Sequence, residues 1–326
     1  MRKLNVLYFP HPLETVNVDW GEESVKAIDG YHTLRVFDRS RPAQPQFAGI
    51  EVVVDLGGNI SAELVDVAAG AGVKLIQAQT NGLDHVEVDR ILGAGMMLAH
   101  CPGALSSVAL AEAAMMFILL FSRRYGEAQL NFASGKVYSP MGMELERLTL
   151  GIVGFGASGQ ELARRANSFG IRIMGIDVRP IESEILAEIQ PELLGGPDDL
   201  DRVIAASDFL SVHLHLTDET RHIIDRRRIG LMKPTACLIN VARGALVDEE
   251  ALYDALAENR IAGAGLDAFA QEPPEFSLPV YQLPNVYVTP HTAGCSDGTA
   301  RKRAAFAAEN LNRYARGEPI LAEVKR

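Results

Sequence analysis

The sequence predicts an α/β protein of two doubly wound parallel-sheet domains. Three observations point that way. Strand-length apolar runs alternate with helical ones along nearly the whole chain, the pattern of a parallel sheet covered on both faces. At about 150 residues per domain, 326 residues make two domains. A Gly-x-Gly-x-x-Gly turn at Gly154, Gly156 and Gly159 lies in mid-chain between a strand-like and a helix-like run, so a second αβ series opens there after a first has closed.

The first series reads as strand Leu4 to Phe9, helix Glu22 to Asp29, strands Thr33 to Phe37 and Glu51 to Val54, helix Ala62 to Ala69, then strands Val73 to Ala78 and Met96 to Ala99. Arg2 and Lys3 precede the first apolar run, but Pro10 ends it and no small-residue cleavage site follows, so the start reads as a strand and not a leader. Cys101-Pro102-Gly103 punctuates the chain before a helix from Leu105 to Arg124. Ser106, Ser107 and Glu112 interrupt its apolar stretch, which favours a buried helix over a membrane span.

The second series has strand Leu148 to Val153, an amphipathic helix that starts with Glu161 to Ala166, strand Arg172 to Asp177, and helices Ile181 to Ile189 and Pro197 to Ala206. Strands Asp208 to Leu214, Ala236 to Asn240, Gly263 to Asp267 and Val286 to Thr289 complete it. The amphipathic helix Asp297 to Arg316 comes after this sheet is finished and is expected to return to the first domain. The expected domains are therefore 1–101 with 292–326, and 102–291.

Composition narrows the function classes. A net charge of −11, with no basic run longer than Arg226-Arg227-Arg228, argues against a nucleic-acid surface. Cys101, Cys237 and Cys295 are odd in number and widely spaced, so neither a disulfide framework nor a zinc knuckle is expected, and a reducing, cytoplasmic setting fits. His213 and His215 alternate on a predicted strand but have no third ligand nearby, so no metal is expected.

The glycine turn carries the first chemistry. Gly154 permits a tight exit from the strand, Gly156 lets backbone approach a pyrophosphate, and Gly159 lets the helix pack close. N–H groups around Phe155, Ala157 and Ser158 then face the phosphates, helped by a helix N-terminus worth roughly +0.5 charge. Asp177 ends the second strand about 20 residues on, where a carboxylate accepts from a ribose 2′-hydroxyl and repels a 2′-phosphate. This predicts a dinucleotide-binding Rossmann domain that prefers NAD to NADP, with Arg179 partly offsetting Asp177.

Three later stretches, Leu238-Ile239-Asn240-Val241-Ala242-Arg243-Gly244-Ala245-Leu246-Val247-Asp248-Glu249, Gly265-Leu266-Asp267-Ala268-Phe269-Ala270-Gln271-Glu272-Pro273 and Val288-Thr289-Pro290-His291-Thr292-Ala293-Gly294, resemble signatures of the D-isomer-specific 2-hydroxyacid dehydrogenases. The resemblance covers nearly the whole chain. It implies a Rossmann NAD-binding domain inserted into a flavodoxin-like substrate domain, a homodimer in contact through the Leu105 to Arg124 helix, and a small 2-oxo or D-2-hydroxy acid as substrate. It implies Arg243, Glu272 and His291 as the catalytic set. The chemistry agrees: an arginine fork binds a carboxylate and polarises the adjacent carbonyl. An imidazole with a pKa of about 6.5 gives and takes a proton, and a neighbouring carboxylate raises that pKa and fixes the ring.

The resemblance further assigns Asn81 and Gly82, within Thr80-Asn81-Gly82-Leu83-Asp84, to the substrate carboxylate. It sets Asp267, Val241 and Ala242 near the nicotinamide, and His213 and Leu214 beside the adenosine. Domain closure about Pro102 and Pro290 would bring the substrate loop to its ligand. The chain departs from the pattern at His100, at Glu87 and in Pro102 to Glu112, all on the hinge and substrate side. Glu272 argues against formate as substrate, and a phosphoglycerate-type substrate would need extra cationic groups near the cleft, where the sequence does not place Arg35, Arg39 or Arg41. The alternative is a dinucleotide-sensing corepressor-like protein of the same fold; with the sequence stopping at Arg326, soon after the last helix, the enzyme is the expectation.

Overall fold

The computed structural model describes residues 2–11 and 18–325. The chain divides into two compact units, Met1–Leu105 with Cys295–Arg326, and Ser106–Gly294. In the first unit, strands β1 (Asn5–Phe9), β2 (Thr33–Val36), β3 (Val52–Asp55), β4 (Leu75–Ala78) and β5 (Met97–Ala99) form a parallel sheet in the order β2-β1-β3-β4-β5. That is the flavodoxin-like order. Successive strand side chains point to opposite faces, so Leu7, Phe9, Val53 and Ile76 enter one apolar cluster while Val6, Tyr8, Val52, Val54 and Leu75 enter another. Both faces are covered, which is why β3 and β4 are buried at every position.

Helix Asp297–Arg316 belongs to this unit, as its sequence suggests: Leu311 and Ala315 join the second cluster beside Ile28 of helix Val18–Ile28. Its ends are well defined. The Ser296 hydroxyl accepts from the Thr299 N–H at 3.1 Å, and Gly317 closes the helix at φ 73°.

The second unit holds β6 (Thr149–Val153), β7 (Arg172–Ile176), β8 (Leu193–Gly195), β9 (Phe209–Val212), β10 (Cys237–Asn240), β11 (Gly263–Leu266) and β12 (Val286–Val288). They form a parallel sheet in the order β12-β11-β10-β9-β6-β7-β8. The chain winds one way from β6 through β7 to β8, then crosses back to lay β9 on the other side of β6. Two apolar clusters again cover the two faces.

Several elements differ from the sequence reading, which lacks helices Ala43–Gln46, Val88–Gly93, Arg226–Ile229 and Glu249–Ala257. The helix after the glycine turn is Ala157–Asn167, because Gly156 is its N-cap and the turn runs straight into it. The long apolar helix is Ser107–Ser122, and Arg124, at φ 49°, starts a separate helix Tyr125–Ala133. The sequence reading stops at Arg124 and does not include this second helix, whose apolar Leu130 and Phe132 are exposed at 70% and 79% while Asn131 is buried, so no apolar face marks it. β8 escapes because a three-residue, half-buried edge strand has too few positions to show a period. Among the described residues no helix is long and apolar enough to cross a membrane.

Candidate active site

The glycine turn follows β6 where the strand order reverses. Gly154 has φ 99°, and a Cβ there would lie 2.7 Å from the His213 carbonyl oxygen. A Cβ on Gly159 would lie 2.3 Å from the Gly154 oxygen, so helix and strand touch backbone to backbone. A Cβ on Gly156 would meet only an Arg179 nitrogen, at 3.3 Å. Of the three, only Gly156 opens outward, at the start of an 11-residue helix, as a pyrophosphate cradle requires. Phe155 is fully buried, so its contribution to a ligand is its backbone.

Asp177 follows directly after β7, its side chain only 6% exposed. Arg179 grips it with Nε to Oδ1 at 3.1 Å and Nη2 to Oδ2 at 3.3 Å. Burial alone would raise the Asp177 pKa; the hydrogen bonds from Arg179 override it and hold the carboxyl below its ordinary value. On the other side of the turn His213 stands one residue beyond β9, hydrogen-bonded through Nδ1 to the Ser158 hydroxyl at 3.0 Å and through Nε2 to that of Ser211 at 2.9 Å. Burial pushes its pKa down to about 4, so the ring is neutral. β9 ends before His213 and His215, and the described residues contain no group of three His, Cys, Asp or Glu able to hold a metal.

Three loops at the carboxyl ends of β10, β11 and β12 carry the predicted chemistry. After β10 the Asn240 side chain folds back, Oδ1 accepting from the Ala242 N–H at 3.1 Å and Nδ2 donating to the Arg243 carbonyl at 2.8 Å. This clamp fixes Val241, Ala242 and Arg243. Gly244 is obligatory: a Cβ there would sit 1.9 Å from the Phe269 carbonyl carbon, so the Arg243 turn rests on the segment leading to Glu272. After β11, Asp267 is 1% exposed and accepts from the Thr289 hydroxyl at 2.6 Å, the Thr292 N–H at 2.8 Å and the Ala293 N–H at 2.9 Å. It thereby holds both flanks of His291, whose φ is 54°.

His291 Nδ1 meets both Glu272 oxygens at 2.7 Å. Glu272 Oε1 also accepts from the Phe269 N–H at 3.2 Å. The hydrogen bond that His291 donates to Glu272 is the main reason the His291 pKa lies above its ordinary value; burial and the Arg243 charge pull the other way. For Glu272, burial pushes upward, but the His291 bond and charge, the Phe269 N–H and Arg243 together bring its pKa below normal. Arg243 therefore acts electrostatically on both members of the pair.

Asn81 and Gly82 lie in the first unit, on the loop past β4. The Thr80 hydroxyl donates to the Gly82 carbonyl at 3.2 Å, the Thr80 carbonyl accepts from the Cys101 N–H at 2.9 Å, and the Asn81 amide packs over Gly103. Arg35, Arg39 and Arg41 are exposed and occupied elsewhere, by the Ala48 carbonyl, the Pro10 carbonyl and Asp38. Sequence reasoning missed Asn240, Thr289 and Ser211. Only Asn240 left a signal, an amide at a strand end before a turn.

The family described as D-isomer specific 2-hydroxyacid dehydrogenase, NAD binding domain, matches residues 115–293. D-3-phosphoglycerate dehydrogenase of Methanocaldococcus jannaschii is 35% identical over 269 residues, 82% of this chain, and the chain spans only 50% of that relative's length. Glyoxylate reductase of Thermococcus litoralis is 34% identical over 313 residues, 91% of this chain and 92% of the relative. Among solved structures, D-lactate dehydrogenase of Aquifex aeolicus, in complex with NAD and lactic acid, matches with TM-score 0.79 at 26% identity and covers 96% of both chains.

Replacing Glu272 with glutamine removes the charge that favours imidazolium but keeps an acceptor. The His291 pKa is then expected to fall, read from the imidazole signals in an NMR pH titration. In wild type the sign is that of a raised histidine: the pair stabilises the fold fully below the unfolded-state pKa, and the contribution is lost as pH rises through the folded one. A His291 titration identical in both proteins would overturn the role given to Glu272.

Proposed function

Because the chain belongs to the D-isomer specific 2-hydroxyacid dehydrogenase family, we propose that it is an NAD-dependent oxidoreductase that passes a hydride between the nicotinamide and a 2-oxo or D-2-hydroxy acid. The observation that carries the reading is the His291–Glu272 pair, under the charge of Arg243, at the same sheet edge as a glycine turn shaped for pyrophosphate. When bound, the dinucleotide supplies or receives the hydride. Arg243 holds the substrate carboxylate and polarises the carbonyl beside it. Since Nδ1 is committed to Glu272, His291 exchanges the substrate-oxygen proton through Nε2. The backbone of Asn81 and Gly82 is assigned to the substrate carboxylate as well.

On the cofactor side, Phe155, Ala157, Ser158 and the three glycines are assigned to the pyrophosphate, and Asp177, His213 and Leu214 to the adenosine. Val241 and Ala242 face the nicotinamide in this reading, and Asp267 acts on it by holding the His291 loop. NAD is preferred because the Asp177 carboxylate remains ionised, and Arg179 limits that preference. The substrate is an unphosphorylated acid, consistent with the engaged state of Arg35, Arg39 and Arg41.

We further propose a homodimer. A groove of about 510 Å³ lined by Met115, Met116, Leu119, Leu120 and Phe169 lies on the outer side of helix Ser107–Ser122. Leu130, Phe132, Val137, Tyr138 and Met141 lie exposed just beyond it in sequence. A second copy of this self-complementary surface is the occupant. Cys101 and Cys237 are buried free thiols, in keeping with a cytoplasmic setting.

The reading is tested by following NADH consumption with glyoxylate, hydroxypyruvate, pyruvate, phenylpyruvate, 2-oxoisocaproate and phosphohydroxypyruvate. Wild type is expected to turn over at least one of them. His291→Ala should lose most of that rate, and Arg243→Ala should lose roughly 10³-fold or more while binding NADH as before. No turnover across the panel, with NADH still bound, would favour the sensor. For the cofactor, Asp177→Ala should narrow the ratio of kcat/KM for NADH over NADPH about tenfold or more, and an unchanged ratio removes Asp177 from the selection.

A further inference from the structure

The chain of side chains Ser211, His213 and Ser158 crosses from β9 to the start of helix Ala157–Asn167 without using a backbone group. Its hydrogen positions follow from burial. Ser211 is 0% exposed, and among the described residues its hydroxyl has one hydrogen-bond partner, His213 Nε2 at 2.9 Å. A buried hydroxyl sends its hydrogen to an acceptor where one is in reach, so Ser211 donates and Nε2 accepts. A neutral imidazole then carries its proton on Nδ1, and burial keeps this ring neutral by pushing its pKa down to about 4. The Nδ1–H accordingly donates to the Ser158 hydroxyl oxygen at 3.0 Å. That leaves the Ser158 hydroxyl hydrogen, at the second residue of the helix and on a partly exposed side chain, with no acceptor among the described residues.

We propose that Ser158 is a side-chain donor to a phosphate of the dinucleotide and that His213 is the positioning residue that orients it, by passing inward-to-outward the hydrogen bond that begins at Ser211. This rests on the dinucleotide reading above. It gives the outward-opening turn at Gly156 a directed hydroxyl in addition to its backbone N–H groups. His213 itself touches no phosphate. A donor hydroxyl whose oxygen is already accepting is a better donor, since hydrogen bonds in a chain polarise one another.

The test is calorimetric titration of the full-length protein with ADP-ribose, which has the pyrophosphate and lacks the nicotinamide. A hydrogen bond to a charged acceptor is worth enough that Ser158→Ala should bind about tenfold more weakly, whereas Ser158→Thr, which keeps the hydroxyl, should stay within about threefold of wild type. His213→Leu should weaken binding in the wild-type background, but by less than about twofold in the Ser158→Ala background, because its effect passes through that hydroxyl. Equal affinities for wild type and Ser158→Ala would overturn the proposal, and that comparison stands even if the buried His213 replacement does not fold. An additive loss in the double variant would overturn the positioning role. If wild type fails to bind ADP-ribose, the dinucleotide reading itself falls, and this inference with it.

Discussion

The pairing of β6 with β9, register Leu150↔Phe209 through Val153↔Val212, is the constraint on which the candidate site depends. β6 is followed by a connection to β7 on one side, while β9 lies on the other, so the chain segments leaving β6 and β9 diverge and open a crevice at their carboxyl ends. The glycine turn and His213 stand on its two lips, close enough that a Cβ on Gly154 would strike the His213 carbonyl. All the sheet's strands run parallel, so Arg243, Glu272 and His291 must emerge at that same edge, each from a loop at or beyond the end of β10, β11 or β12. Direction of pairing gathers the functional loops before any side-chain contact does.

What makes those loops rigid is a set of inward-facing polar side chains. Asn240 and Asp267 are each 1% exposed; Asn240 makes its hydrogen bonds to backbone groups of its own loop, and Asp267 accepts from hydroxyl and backbone groups of the loop after β12. The comparison of magnitudes favours the observed geometry at His291. A non-glycine residue in the left-handed region costs about 1–3 kcal/mol, and the Asp267 carboxylate provides three charge-assisted hydrogen bonds around it, each worth about 1.5–3 kcal/mol. The strained residue is thus held by its flanks, and its ring is left to be aimed by Glu272.

The fold was largely legible because parallel sheets with two covered faces produce short apolar runs, and β1 to β7 and β9 to β12 all announced themselves in that way. Helix Asp297–Arg316 was readable to the residue, since Ser296 and Gly317 are strong caps. Legibility failed where the signal is shorter than a period, as at β8, or where a helix buries a polar residue and exposes its apolar ones, as at Tyr125–Ala133. In the candidate site, Arg243, Glu272 and His291 were singled out through the family resemblance, with a chemical rationale for each residue type. The partners that hold them were not. Thr289 matters because of Asp267 beyond the neighbouring strand and Ser211 because of the His213 ring two residues on, while Asp267, noticed in the sequence, has its carboxylate turned inward to the His291 loop. No sequence pattern states which way a carboxylate faces.

The opposing charges around His291 give the site a sense of direction. Glu272 raises the imidazole pKa and Arg243 lowers it, so the ring in the ligand-free chain is a compromise between them. A bound carboxylate on Arg243, as the proposed chemistry requires, neutralises much of the lowering influence and leaves that of Glu272 intact. In that proposed chemistry, substrate binding would shift His291 further toward imidazolium, the form that gives a proton during reduction of a 2-oxo acid. The D-2-hydroxy acid carries the same carboxylate and has the same effect, yet its oxidation needs the neutral ring. The electrostatics therefore favour reduction at a given pH, and oxidation is pushed toward more alkaline conditions. The pH at which each direction runs fastest would, in this arrangement, follow from a triangle of three side chains, while the equilibrium stays with the reactants and the cofactor's redox state.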